Sequence, residues 1–180
     1  MADWFDAIDE ERRAQIEGQP LFFVATAPSD PGAGFANLSP KGRSPLRVLT
    51  PKLIGYLDYP GSGNETARHT DENGRITLMV CSFGKRPGIV RLYGQGRAVA
   101  VDDAEFLRHL EAFRAELHPY VRQAFLIDIE KLQTSCGYAV PRMDYVGERD
   151  TLDRWCEQKL EPRDMVEGVP QPGELRERVS

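Results

Sequence analysis

The sequence predicts one mainly β domain, an antiparallel barrel with peripheral helices. Six or seven segments have the length, the β-branched and aromatic content and the flanking turn residues that are typical of strands. Short turns join most of these segments, whereas a doubly wound parallel sheet would need a helix between nearly every pair of strands. With 180 residues, 41% of them hydrophobic, the chain is long enough to bury one core.

The first elements are predicted to be a surface helix and a β-hairpin. Trp4 and Ile8 have helical spacing among many charged residues, which predicts a helix over residues 2–17. The apolar run at residues 21–27 predicts a strand, and the Pro-Ser-Asp-Pro-Gly cluster after it is a turn. Residues 34–38 are expected to form the return strand of this hairpin.

Five further strands and three helices follow along the chain, the first of these helices being a short polar one that ends at Asn73-Gly74. The strands are predicted over residues 46–49, 53–59, 75–83, 88–101 and 124–132. Asp102 is expected to cap a helix that runs through Phe113, and a last helix is predicted over residues 151–159. The charged, proline-rich tail from residue 161 is expected to be poorly ordered unless it docks. These elements divide the chain into an N-terminal helix (1–18), a barrel domain (19–145) and a C-terminal helix with its tail (146–180).

Charge and composition limit the classes of partner. A net charge of -5 and a pI near 5.3 oppose binding to nucleic acid or to an anionic membrane. No apolar run approaches the roughly 18–20 residues of a membrane span, and the acidic start does not match an export signal, so a cytoplasmic protein is expected. The three cysteines have no C-x-x-C spacing, and no metal site is predicted.

The most informative local feature is a glycine turn, Gly-Ser-Gly-Asn-Glu-Thr at residues 61–66, directly before a short polar helix. Unpaired N–H groups at a helix start suit a phosphate, although the spacing alone favours Ser62 or Asn64 acting as a simple helix cap. The third glycine of a dinucleotide fingerprint is absent, which argues against that motif. Arg47 and Lys52, on and after the preceding strand, are candidates to neutralise the phosphate.

Several motifs together resemble the pyridoxamine 5′-phosphate oxidase-like family of FMN-binding split barrels. The resemblance covers roughly residues 20–142 and rests on the segments at residues 37–42, 47–49, 61–66, 74–79, 91–97 and 133–141. It implies a six-stranded antiparallel split β-barrel that forms a homodimer and binds FMN at the subunit interface.

The resemblance also assigns the cofactor-binding residues. Arg47 and Lys52 match an arginine and a lysine that approach the flavin phosphate in the family's oxidases. A basic phosphate clamp of those oxidases falls on residues 64–66, where Glu65 is a departure and is expected to point outward. The predicted cofactor-binding residues are Arg47, Val48, Lys52, Tyr59, Ser62, Gly63, Asn64, Thr66 and Ser135.

The predicted function is that of an FMN-dependent oxidoreductase acting on a small organic substrate. The glutamine that the oxidases use on the flavin ring aligns near Ile89, and their closing segment has no match in the tail, which argues against oxidation of pyridoxamine phosphate itself. No residue is marked as catalytic. Two alternatives stay open, a non-catalytic flavin carrier or sensor and a barrel that binds haem or a deazaflavin.

Overall fold

The computed structural model of the protein describes residues 2–43, 45–61 and 63–171. Its strands are β1 (Asp3–Phe5), β2 (Phe22–Thr26), β3 (Asn37–Lys41), β4 (Arg47–Thr50), β5 (Leu53–Asp58), β6 (Arg75–Cys81), β7 (Ile89–Val99), β8 (Gln123–Ser135), β9 (Met165–Val166) and β10 (Val169–Pro170). Its α-helices are α1 (Glu10–Glu17), α2 (Glu65–Asn73), α3 (Ala104–Leu107) and α4 (Thr151–Lys159). The helix predicted over residues 151–159 is confirmed, as are the strands predicted over the segments that form β4 to β8.

The main sheet is antiparallel and has the strand order β3-β2-β6-β7-β8-β5-β4, with β1 added beside β8. The predicted class, mainly β and antiparallel with peripheral helices, is confirmed, although the main sheet has eight strands rather than six. The apolar sides of these strands form one buried cluster, in which Tyr56 stacks on Phe125 with ring centroids 5.0 Å apart. Within the described residues, no helix is long and apolar enough to cross a membrane.

The prediction of one helix over residues 2–17 is wrong at its start. Residues Asp3–Phe5 form β1, which pairs with the far end of β8, and the Trp4 ring stacks on Tyr93 with centroids 5.7 Å apart. The helix begins only after Asp9, whose carboxylate accepts a hydrogen bond of 3.0 Å from the Arg12 N–H. An N-cap of this kind fixes the start of a helix, so the residues before it are free to extend.

The β-hairpin predicted after residue 20 is present, but its second strand lies later than expected. The return strand is predicted over residues 34–38, whereas β3 spans Asn37–Lys41 and includes Pro40. Proline interrupts a central strand because it has no N–H to donate. β3 is at the edge of the sheet, where one side of the strand needs no partner, and Pro40 is therefore tolerated.

The helix predicted from Asp102 through Phe113 is also wrong. Asp103 caps the short helix α3, and two separate 3-10 turns follow it, Leu110–Ala112 and Arg114–Glu116. Phe106 and Phe113 are both fully buried, with ring centroids 5.4 Å apart, in a second apolar cluster beside the main core. Packing both rings into this cluster overrides the helical pattern of the segment.

The helix α2 and the docked tail complete the fold. Gly74 ends α2 in a left-handed conformation, φ 70°, as a C-terminal glycine commonly does. The buried side of α2 faces β2, where His69 Nδ1 and Thr26 Oγ1 form a hydrogen bond of 3.0 Å. Beyond residue 161 the tail docks through Arg163, whose N–H donates to the Pro119 carbonyl at 3.2 Å and whose Nη1 donates to the Val121 carbonyl at 3.1 Å, and β9 then pairs with β10. Residues 172–180 of the tail that is predicted to be disordered lie outside the described residues.

Candidate functional site

Three of the predicted binding residues, Gly63, Asn64 and Thr66, lie at the start of α2. Described residues 59–61, 63 and 64 lie between the end of β5 and this helix, and Asn64 occupies the N-cap position. Within the described part of the chain, the Asn64 side chain makes no capping hydrogen bond, so it leaves the first-turn N–H groups of α2 to other partners. Those N–H groups and the helix dipole favour an anion at this position. Ser62, predicted as a second donor, lies outside the described residues.

A cluster of one carboxylate and two cations stands next to this turn. The Asp58 carboxylate, 2% exposed at the end of β5, accepts hydrogen bonds from Lys41 Nζ at 2.8 Å and from Arg122 Nη2 at 2.7 Å. A buried carboxylate is costly unless it is paired, and this one is paired on both oxygens. We call these three residues the Asp58 cluster; its formal charge is positive, because two cations face one carboxylate.

Hydrogen bonds tie the Asp58 cluster to the start of α2. Arg122 Nη1 donates to the Gly63 carbonyl at 3.2 Å, and Gln123 Nε2 donates both to Asp58 Oδ2 at 3.0 Å and to Asn64 Oδ1 at 2.9 Å. The predicted residue Gly63 therefore lies in contact with a positive cluster, and the predicted residue Asn64 is linked to that cluster through Gln123. Thr66, also predicted, is buried in the first turn of α2 and accepts from Asn37 Nδ2 at 3.1 Å.

The sequence predicts that Glu65 points outward, and the structure agrees with this prediction only in part. Its carboxylate folds back over Gly63 and fills the space that a side chain at residue 63 would need. A hydrogen bond from its own backbone N–H, with a smaller contribution from the Arg68 charge, holds the pKa of Glu65 below its ordinary value. The helix start thus already holds a negative group, which is the behaviour expected of an anion-binding position.

Arg47 and Tyr59 belong to a neighbouring cluster that is centred on Glu116. Arg47 Nη2 pairs with Glu116 Oε1, and the Tyr59 hydroxyl donates to the Glu116 carbonyl at 2.8 Å. Burial raises the pKa of Tyr59, while the Arg43 guanidinium, 4.9 Å from the Tyr59 ring centroid, opposes that rise. The charge of Arg47 is therefore balanced within the chain, by a carboxylate that is not predicted from the sequence.

Three predicted residues lie away from the start of α2 within one chain. Lys52 is exposed at the β4–β5 turn, at the opposite end of β5, which is a distance of about 17–20 Å for a strand of this length. Val48 is buried in the core, and its N–H donates to Glu17 Oε1 at 2.8 Å. Ser135 ends β8, where its hydroxyl accepts from Arg91 Nη1 at 3.3 Å. Their contacts with a cofactor stay predictions.

The residues that contribute most charge to the site are absent from the set predicted from the sequence. Lys41 belongs to a motif that carries the family resemblance, but no pattern marks it as a ligand-binding residue, and none marks Asp58, Arg122 or Gln123. A basic residue directly before the last long strand is visible in the sequence, but nothing local connects it to the glycine turn 59 residues away.

The donor set at the start of α2 fits the phosphate of a flavin. Backbone N–H groups, a lysine ammonium and an arginine guanidinium are the groups that bind phosphate in proteins. Lys41 and Arg122 are buried against Asp58 only in part, with side chains 25% and 24% exposed, so both remain accessible to a ligand. No group of three His, Cys, Asp or Glu side chains within the described residues could hold a metal ion.

Comparisons with known proteins agree with the fold. The family model for pyridoxamine 5′-phosphate oxidase matches residues 8–136. The chain is 35% identical over 153 residues to the pyridoxamine 5′-phosphate oxidase family protein ustO of Aspergillus flavus, covering 84% of this chain but only 61% of that relative. Among solved structures, it is similar to HupZ of Group A Streptococcus, with 21% identity, a TM-score of 0.55 and coverage of 69% and 91% of the two chains. It is also similar to an FMN-binding protein of Syntrophomonas wolfei, with 16% identity, a TM-score of 0.52 and coverage of 68% and 82%.

Proposed function

Because this chain belongs to the pyridoxamine 5′-phosphate oxidase family, we propose that it is a flavin-binding oxidoreductase that holds FMN with its phosphate at the start of α2. The observation that carries the proposal is that the positive Asp58 cluster contacts Gly63, directly before the N-cap of this helix, whose Asn64 side chain makes no capping hydrogen bond to the described residues. A dianionic phosphate gains both charge-assisted hydrogen bonds and the favourable end of the helix dipole at such a position.

The chain's own residues supply binding and orientation. When bound, the flavin supplies the transfer of electrons or hydride with a small organic substrate. Lys41 and Arg122 neutralise the charge of the phosphate, and the N–H groups of the first turn of α2 orient the phosphate. Asn37 donates to Thr66 and so anchors the first turn of α2 to β3. Because Lys41 also belongs to β3, this contact fixes the position of the turn relative to Lys41.

We further propose that two copies of the chain form the working unit, with flavin at their interface. Large apolar side chains are exposed near one side of the sheet, with Trp4 at 56%, Phe35 at 94% and Leu38 at 69%. A cavity of about 450 Å³ on the same side is lined by residues of β2, β6, β7 and β8, among them Tyr93, on which Trp4 stacks. A second copy would remove this apolar surface from water.

The test compares FMN with riboflavin, which has the same ring and lacks the phosphate. FMN should bind at least about a hundredfold more tightly in a fluorescence-quenching titration, because each charge-assisted hydrogen bond to the phosphate contributes about 1.5–3 kcal/mol. Light scattering of the flavin-loaded protein should give twice the 20.3 kDa of one chain. Equal affinities for the two flavins would contradict the phosphate position, and a flavin-loaded monomer would contradict the dimer. Anaerobic bleaching of the bound flavin by a substrate separates an oxidoreductase from a non-catalytic flavin carrier.

Replacing Glu65 with glutamine should strengthen FMN binding. The Glu65 carboxylate lies over the turn that is proposed to receive the phosphate, and removing its charge removes a repulsion. Because this group is exposed and screened by salt, we expect a gain of about threefold to tenfold in FMN affinity and none for riboflavin. Asp71→Asn is the matched control, since it removes the same charge from the other end of α2. Weaker FMN binding in the Glu65 variant would argue that Glu65 supports the site instead.

A further inference from the structure

Asp58 is the most buried member of the Asp58 cluster, which Arg122 links to Gly63 before the start of α2. Its Oδ1 accepts from Lys41 Nζ, and its Oδ2 accepts from Arg122 Nε at 3.1 Å, from Arg122 Nη2 and from Gln123. A carboxylate that only filled a core position would be replaced at lower cost by an apolar residue. Asp58 instead gathers long side chains from β3 and from the segment before β8 at one point.

Asp58 does not use all the N–H donors of Lys41 and Arg122. Asp58 accepts a single N–H from the Lys41 ammonium, and the Arg122 guanidinium still has N–H groups beyond those on Asp58 and Gly63. Both side chains are about a quarter exposed. A ligand at the start of α2 can therefore take the remaining N–H groups without breaking the contacts to Asp58.

We propose that Asp58 is a positioning residue which strengthens phosphate binding although it carries the same sign of charge as the phosphate. This inference rests on the proposed function, because the phosphate in question is that of FMN. Lys41 and Arg122 are thereby assigned as the two cations at the phosphate, and Asp58 is assigned as the group that holds them together.

Two opposite effects decide what loss of the Asp58 charge would do. Removing a carboxylate near a phosphate removes a repulsion, which by itself predicts tighter binding of FMN. Without Asp58, however, Lys41 and Arg122 repel each other and regain rotamer freedom, which a ligand would have to remove again. Since four hydrogen bonds hold three side chains on this carboxylate, we expect the second effect to prevail.

The experiment is titration of the Asp58→Asn variant with FMN and with riboflavin. We expect FMN to bind at least tenfold more weakly than to the wild-type chain and riboflavin to bind unchanged, so that the preference for FMN falls by the same factor. If Asp58 had a purely structural role, its replacement would weaken the binding of both flavins alike. Unchanged or tighter FMN binding, or an equal loss for the two flavins, would overturn the proposal.

A matched control removes a carboxylate of another arginine cluster. Glu105 on α3 accepts from Arg97 Nε at 3.0 and 3.2 Å, and Glu105→Gln should leave the affinities for both flavins unchanged. If the melting temperature shows that Asp58→Asn does not fold, Lys41→Gln decides, with an expected loss of about tenfold for FMN alone. Unchanged FMN affinity in Lys41→Gln would then overturn the proposal. A wild-type chain that binds neither flavin would contradict the proposed function itself, which is a distinct result.

Discussion

Truncation of Tyr56 to alanine is expected to lower the free energy of unfolding by about 3–5 kcal/mol. The Tyr56 side chain is fully buried, stacks on Phe125 and meets the edge of Phe22 with centroids 5.2 Å apart. Alanine would leave a cavity at the centre of the main core that these two rings cannot fill. Urea unfolding followed by fluorescence measures the loss.

Tyr56→Phe is the matched control, and its expected result is of the opposite kind. The Tyr56 hydroxyl is buried and has no hydrogen-bond partner among the described residues, so its desolvation is not compensated. Burial raises the pKa of this hydroxyl well above its ordinary value, with the Asp58 charge adding to the rise. Phenylalanine should therefore be neutral or stabilise by up to about 1 kcal/mol. A clear loss of stability in Tyr56→Phe would mean that the hydroxyl has a partner.

Gly94→Ala is expected to destabilise the chain by about 3 kcal/mol, or roughly 6–12 °C in melting temperature. Gly94 lies where the pairing of β7 with β8 shifts, since Tyr93 faces Lys131 whereas Gly94 faces Ile129. A Cβ at this position would overlap the Asp128 carbonyl oxygen and lie 3.0 Å from the carbonyl carbon. That neighbour is backbone within a long strand, and it cannot move without breaking the ladder between β7 and β8.

Gly84→Ala provides the comparison for Gly94. Among the residues that the structure describes, a Cβ at residue 84 has only the Ser82 hydroxyl within 4.0 Å, and the backbone there is one that alanine accepts. Alanine restricts the unfolded chain more than glycine does, so this variant should be neutral or gain up to about 1 kcal/mol. Equal melting temperatures for the two variants would show that the backbone of β7 and β8 can shift to accept a Cβ at residue 94 without loss of stability.

The fold was predictable where local pattern and tertiary packing agree. β6, β7 and β8 are long, apolar on the correct sides and bounded by turn residues, and each is present close to its predicted position. β1 was not predictable, because a strand of three residues has no pattern and its partner lies far away in the chain. The prediction of one helix after Asp102 is wrong for a related reason, since burial of the two phenylalanine rings determines the backbone conformation of this segment.

The candidate site was predictable only in part. The glycine turn and the helix that it opens were visible locally, because both depend on neighbouring residues. The Asp58 cluster joins residues 17 and 64 positions apart, and only the pairing of β5 with β8 and the path of β3 bring them together. A charged residue in a strand has no sequence signal that identifies its partner, so Arg47 and Glu116, 69 positions apart, were equally hidden.

The pairing of β1 with β8 has a consequence for synthesis of the protein. β5 covers one edge of β8 only along residues 123–128, and β1 covers the same edge along residues 132–134. During translation β1 leaves the ribosome about 130 residues before that edge exists, which is a delay of roughly 7–26 s at ordinary elongation rates. Until then Trp4 and Phe5 have no strand to join. A nascent chain stalled before residue 132 should therefore keep its first residues open to protease, and a chain released beyond residue 135 should protect them.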